Sequence, residues 1–141
     1  MTAAILQPAV ALMAWTMVMW LWMYATRIPA MNAAKLAPDD LAKDPTKTLD
    51  HILPAHIQWK AHNYNHLHEA PTLFYAACLI IAVTGQGDGM SAPVAWAYVG
   101  LRIAHSIVQA TVNKIMVRFV LFALSSFVLG ALIYQAMRVV F

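Results

Sequence analysis

Charged side chains are scarce in this chain: 11% of 141 residues, where ordinary soluble domains carry about 25%. With 62% hydrophobic residues beside that shortfall, the composition reads as one small integral membrane domain spanning 1–141. No charge at all occurs from Met1 to Thr26 or from Phe119 to Met137, and either run can cross about 30 Å of hydrocarbon at about 1.5 Å per residue. Cysteine is nearly absent too. Cys78 stands alone within the apolar run Ala76 to Val83, which excludes an intrachain disulfide and points to packing. The first segment lacks the basic stretch of a secretory signal and is too long for its apolar region, so it is expected to be retained uncleaved. The net charge of +3 suggests nucleic acid at first sight, but no basic patch interleaved with aromatics exists, and that class is excluded. Neither an internal repeat nor a low-complexity tract is present.

What the chain does have is four segments of helical character. The pattern predicts an all-α, four-helix transmembrane bundle with helices over about 4–26, 54–84, 92–113 and 118–137. Gly85-Gln86-Gly87-Asp88-Gly89 marks a turn between the second and third helices. The stretch 28–50 is the one long loop, and Asp39 to Lys43 within it can form a short surface helix. Pro71 removes a backbone donor and is expected to bend the second helix just beyond Glu69. Arg27, Lys35, Lys43, Lys47 and Lys60 flank the first loop, and Lys114 and Arg118 the third, so both termini are expected to face away from the cytoplasm. Trp20, Trp22, Tyr24 and Trp59 then make an inner aromatic belt, and Trp96, Tyr98 and Tyr134 an outer one. Met13, Met17, Met19 and Met23 run all round the first helix, as lipid-facing and packing residues do.

Two polar stripes interrupt this apolar frame. His62, His66 and Glu69 share one face of the second helix, and Arg102, His105, Gln109 and Asn113 share one face of the third. Ionisable groups at bilayer depth are costly unless they meet each other, a cavity or a ligand. Glu69 and Arg102 both fall about 15 Å deep from opposite sides, which predicts an ion pair between them. Toward the cytoplasm from that pair lie His105, Gln109, His66, Asn63 and His62, then Lys60, Lys114 and Arg118 at the mouth. Such a pocket suits an elongated anion that also carries an ammonium group, with Glu69 on the ammonium and Lys60 or Arg118 on carboxylates. Glutathione has that pattern.

The run from Asn63 to Tyr75, with Glu69-Ala70-Pro71 at its centre, resembles the helix-2 signature of the MAPEG family, membrane-associated proteins in eicosanoid and glutathione metabolism. Arg102-Ile103-Ala104-His105, followed thirteen residues later by Arg118, is similar to that family's second signature. The resemblance covers roughly Trp59 to the C-terminus. It implies a homotrimer of four-helix protomers with glutathione, as co-substrate, held between neighbours near the cytoplasmic side. It further implies that Arg118 stabilises the glutathione thiolate for attack on lipophilic electrophiles or hydroperoxides, and that Glu69, Arg102 and His105 help hold the tripeptide. Lys60, His62, Asn63, His66 and Gln109 complete the candidate binding set. Gln109 and Phe119 stand where prostaglandin-forming relatives have tyrosine and serine, Phe122 replaces another aromatic hydroxyl, and Lys60, His62 and His66 take the place of a helix-2 arginine.

Two rival readings follow from the same residues. His62-x-x-x-His66 with Glu69 places three possible metal or haem ligands on one face, although the cationic rim argues against a cation, and no metal is expected. A non-catalytic scaffold that uses the stripes to bind lipid or a partner helix fits the substitutions at Gln109 and Phe119. The compact chain without sorting signals points to a bacterial inner membrane.

Overall fold

The structure, a computed structural model, describes residues 3–141, so the first two residues of the 1–141 domain lie outside the described residues. Those residues fold into seven helices: α1 (Leu6–Ala33), α2 (Pro38–Lys43), α3 (Leu49–Ile52), α4 (Ala55–His66), α5 (Ala70–Val83), α6 (Ser91–Thr111) and α7 (Ile115–Val140). Among them are no strands. Three stretches are long and apolar enough to cross a membrane: α1, the α4–α5 stretch Ala55–Val83, and α7. At 21 residues α6 reaches roughly 30 Å, but it carries the polar stripe Arg102, His105, Ser106 and Gln109 on its buried side. Its polar residues thus face the interior of the bundle, with Trp96, Ile107 and Val112 near or at its exposed side.

The helices pack around one core. α6 lies against α7 and α1, α1 also against α4 and α5, and α5 against α7. Leu12, Met19, Phe74, Cys78, Ile81, Val99 and Leu132 fill the middle. Around α1 the methionines divide as expected, Met19 and Met23 buried and Met13 and Met17 exposed. Tyr98 departs from the expected outer belt: it is fully buried and stacks on Phe74 with ring centroids 4.5 Å apart. Its ring faces the α5 core because the same α6 face carries Val99 and Arg102 inward.

The second helix is broken rather than bent. α4 ends at His66, α5 begins at Ala70, and Leu67 caps the end of α4. Pro71 explains the position: its missing N–H and its ring act on the carbonyl four residues back, that of Leu67. Glu69 therefore sits at the break, where Thr72 Oγ1 and N both donate to its carbonyl at 2.6 and 3.1 Å.

Both ends of the long loop are tied. Arg27 Nη2 donates to Gln58 Oε1 at 2.8 Å, and Gln58 Nε2 donates on to the Leu49 carbonyl. These bonds extend α1 past the expected residue 26, through Pro29, and order the unexpected turn α3. The expected surface helix forms as α2. Beyond it Asp44 Oδ1 accepts from Thr46 Oγ1 and N at 2.6 and 3.0 Å, which holds its carboxyl below the usual carboxylate range.

At the opposite end the chain's start is stapled to the α5–α6 turn. Ile5 N donates to the Gly87 carbonyl at 3.0 Å and Ala4 N to Asp88 Oδ1 at 2.8 Å. A Cβ on Gly87 would lie 2.6 Å from Ala3 Cβ and 2.9 Å from Ile5 Cγ2. Gly87→Val should therefore unseat this staple and cost about 1–3 kcal/mol by overpacking, read as a lower unfolding temperature of the detergent-solubilised protein. Gly89→Ala, with open space around it, should cost less than about 1 kcal/mol.

Candidate functional site

α6 ends at Thr111 and the chain turns sharply before α7. Asn113 adopts a left-handed φ of 48°, a conformation asparagine tolerates better than most residues, and Lys114 is extended. This turn starts α7 at Ile115, three residues before the expected 118, and sets Arg118 in its first turn. A cation there opposes the helix dipole and needs another reason to be present. Its Nη1 donates to Asn113 Oδ1 at 2.6 Å, while its Nε is enclosed without a partner.

Beside Arg118 lies a cleft of about 370 Å³ walled by His66, His105, Ile115, Arg118, Phe119 and Phe122. Small-molecule sites begin at about 300 Å³, so the space is adequate for a ligand of modest size. α4 and α6 bring imidazoles to it, and α7 brings Arg118 together with Ile115, Phe119 and Phe122. His66 and His105 stack with centroids 4.9 Å apart and planes 17° from parallel. Behind them Arg102, fully buried, donates from Nη2 to His66 Nδ1 at 2.8 Å and holds its charge 6.0 Å from the Phe122 ring centroid. Arg102 Nε and Nη1 have no partner. Among the described residues neither Arg102 nor Arg118 pairs with a carboxylate.

The expected Glu69–Arg102 ion pair is not made. The helix break turns Glu69 outward, with its side chain 68% exposed and its Oε2 3.9 Å from His66 Nε2. An unbroken helix would have kept Glu69 on the face of His62 and His66; the Pro71 effect removes that alignment.

Of the other candidate residues, Asn63 is fully buried and donates from Nδ2 to Ser106 Oγ, fixing α4 to α6. Gln109 is buried one turn beyond His105 with Oε1 unpartnered. Lys60 and His62 are not brought to the cleft: Lys60 Nζ donates to the His56 carbonyl at 2.7 Å and lies 5.6 Å from the Trp22 ring centroid, and His62 Nε2 meets Asp50 Oδ1 at 3.0 Å. Because His62 and His66 engage different partners, the triple with Glu69 does not converge. Among the described residues no three His, Cys, Asp or Glu side chains gather as metal ligands would.

Two residues whose roles the helical pattern does not signal matter here: Ser106, which accepts from Asn63, and Asn113, which turns the chain and holds Arg118. Asparagine just past the last apolar turn of a helix was the available signal for the latter. Asn63→Ala should leave Ser106 without its donor and cost about 1–3 kcal/mol in thermal unfolding.

The MAPEG family model matches residues 5–138, nearly the whole chain. The chain belongs to the MAPEG family. Matching that long takes in α1 as well as the two signatures, and with three apolar spans it makes this a membrane protein. Searches of curated proteins and of solved structures match nothing. In this MAPEG protein the cleft thus joins both signature segments, α4 with its His66 and α6–α7 with His105 and Arg118.

Proposed function

We propose that this MAPEG protein is a glutathione-dependent transferase or peroxidase acting on lipophilic electrophiles dissolved in the membrane. One observation carries the reading: a fully buried guanidinium, that of Arg102, and a half-buried one, that of Arg118, neither paired with a carboxylate among the described residues, stand behind and at a cleft that apolar side chains also line. Uncompensated buried cations are costly, and an anionic ligand is the partner that relieves the cost. Ile115, Phe119 and Phe122 beside Arg118 admit a lipid-soluble second reactant.

Arg118 is the residue assigned to the thiolate. A free thiol has a pKa of about 8.5, and a guanidinium beside it lowers that by about one to two units, which makes the nucleophile abundant at neutral pH. In transfer to an aryl halide the sulfur forms a C–S bond, halide leaves with the bonding pair, and the thiol proton passes to water at the cleft mouth. His66 and His105 line the space for the tripeptide, Arg102 adds positive charge from one layer behind, and Asn63 and Gln109 brace the floor. Glu69 faces outward from a four-helix protomer, which suits a site completed at a subunit boundary of a homotrimer, where the exposed His62 also enters. The termini face away from the cytoplasm, and the host membrane is a bacterial inner membrane.

Thermal unfolding with millimolar glutathione tests the reading. Stabilisation that Arg118→Ala removes supports it; no stabilisation in the wild type overturns it in favour of a membrane scaffold.

A further inference from the structure

The open edge of His66 has a defined chemistry. Arg102 Nη2 lies 2.8 Å from His66 Nδ1. A guanidinium carries donors only and keeps its proton, so the nitrogen that faces it must be the acceptor. The ring proton is then on Nε2, and the tautomer is fixed by Arg102. Nε2 faces away from Arg102. Its nearest carboxylate oxygen, Glu69 Oε2, is 3.9 Å off, too long for a hydrogen bond. His105 stacked on one face at 4.9 Å and Phe122 edge-on at 5.6 Å hold the ring plane against rotation. The result is an uncharged N–H donor, held in place at the wall of the cleft and not used within the protomer.

We propose that His66, through Nε2–H, is a catalytic hydrogen-bond donor to the oxygen that departs when a lipophilic organic hydroperoxide is reduced, with Arg102 as the positioning residue that fixes its tautomer. This rests on the glutathione reading above and narrows it to a substrate class. The thiolate attacks the distal peroxide oxygen, an S–O bond forms, and the O–O bond breaks with its electron pair going to the alkoxide oxygen. That oxygen takes the proton released by the thiol, by way of water at the mouth. A second glutathione thiol then displaces hydroxide from the sulfenic acid, so two thiols and one hydroperoxide give one disulfide, one alcohol and one water. Negative charge builds on a single oxygen, and a donor whose ring is already held in orientation at the cleft lowers the barrier. Arg118 is committed to the sulfur. A neutral second donor serves the oxygen without drawing the thiolate away, and Ile115, Phe119 and Phe122 take the hydrocarbon body. Conjugation with an aryl halide gathers no charge on a departing oxygen, so the two reactions should separate.

The test measures both reactions in each purified full-length variant, with cumene hydroperoxide and a nitroaryl chloride as electrophiles. His66→Leu should lower the ratio of hydroperoxide to aryl-halide kcat about thirtyfold, less than the about hundredfold of a fully enclosed oxyanion donor, with both rates read at saturating glutathione so that a change in its binding is common to the two. His66→Gln, whose amide N–H reaches where Nε2 stood, should restore the ratio to within about threefold. Arg102→Met should lower the ratio in the direction of the leucine variant, because the freed ring also samples the tautomer without a proton on Nε2. The ratio is taken within one sample, so a misfolded fraction cancels. Equal falls on both substrates, or no rescue by glutamine, overturns the His66 assignment while active wild type keeps the glutathione reading. Wild type inactive with both electrophiles overturns the two together.

Discussion

Arg118→Ala should slow glutathione conjugation by about a hundredfold at neutral pH. Part of that loss is ionisation. With a thiol pKa of about 8.5 only a few per cent of bound glutathione is thiolate at pH 7, whereas a guanidinium that lowers it to about 7 ionises half. That accounts for a factor of roughly fifteen, and the remainder comes from lost orientation of the sulfur against the apolar side chains of the cleft. The two parts have different pH signatures. Above pH of about 9 the alanine variant recovers the ionisation factor, because the thiol deprotonates unaided, but not the orientation factor. With a thiol pKa of about 7 the wild-type rate should level off above about pH 8, while the variant's continues to climb. Arg118→Lys keeps the charge and loses the fork that Asn113 holds at 2.6 Å, so an intermediate loss of about tenfold is expected. Thiolate absorbance in the ultraviolet, recorded on the protein–glutathione complex, reads the ionisation directly. Should Arg118→Ala leave both that absorbance and the rate unchanged, the guanidinium has no part in the chemistry.

How far this site could be read from the chain depends on the residue. His66, His105 and Arg118 line one cleft, because helical spacing places His105 on the inner face of α6 and the turn after Thr111 returns Arg118 beside it. Membrane character was legible in the two charge-free runs, since nothing but hydrocarbon tolerates them so cheaply. Glu69 was misplaced for a local reason. Periodicity assumes an unbroken helix, and three residues of non-helical chain between His66 and Ala70 rotate everything beyond them. Pro71 announced a disturbance but not whether the helix would bend or break, a choice made by packing of α5 on α7. Lys60 and His62 illustrate a second limit. Each found a nearer partner, the His56 carbonyl and Asp50, and competition of that kind leaves no periodic trace. Tyr98 was read as interfacial because tyrosine favours that level, yet burial against Phe74 won.

Arg102 separates a structural from a functional account most sharply. It is fully buried, two of its nitrogens lack partners, and its one hydrogen bond goes to an imidazole rather than a carboxylate. If its role were to hold helices together, replacing it by an apolar side chain of similar length would weaken the fold. Buried charge behaves otherwise: desolvation commonly exceeds what such contacts return, and apolar replacements of similar volume are often neutral or stabilising by about 1–4 kcal/mol. Arg102→Met should therefore unfold at the wild-type temperature or above it in the absence of glutathione, the loss of a donor to His66 offsetting about 1 kcal/mol of the gain. Arg102→Ala adds a cavity and should lose about 3 kcal/mol relative to methionine. Ligand response should run the opposite way. At a hundredfold excess over Kd, glutathione stabilises the wild type by about 2.7 kcal/mol, and a tenfold weaker site in the methionine variant keeps only about half of that. A more stable apo protein with a blunted glutathione response is the mark of a cation retained for its ligand at the expense of the fold. A methionine variant that melts several degrees lower yet responds to glutathione as the wild type does would make Arg102 a strut between α6 and α4, and the field behind the cleft would have no bearing on binding.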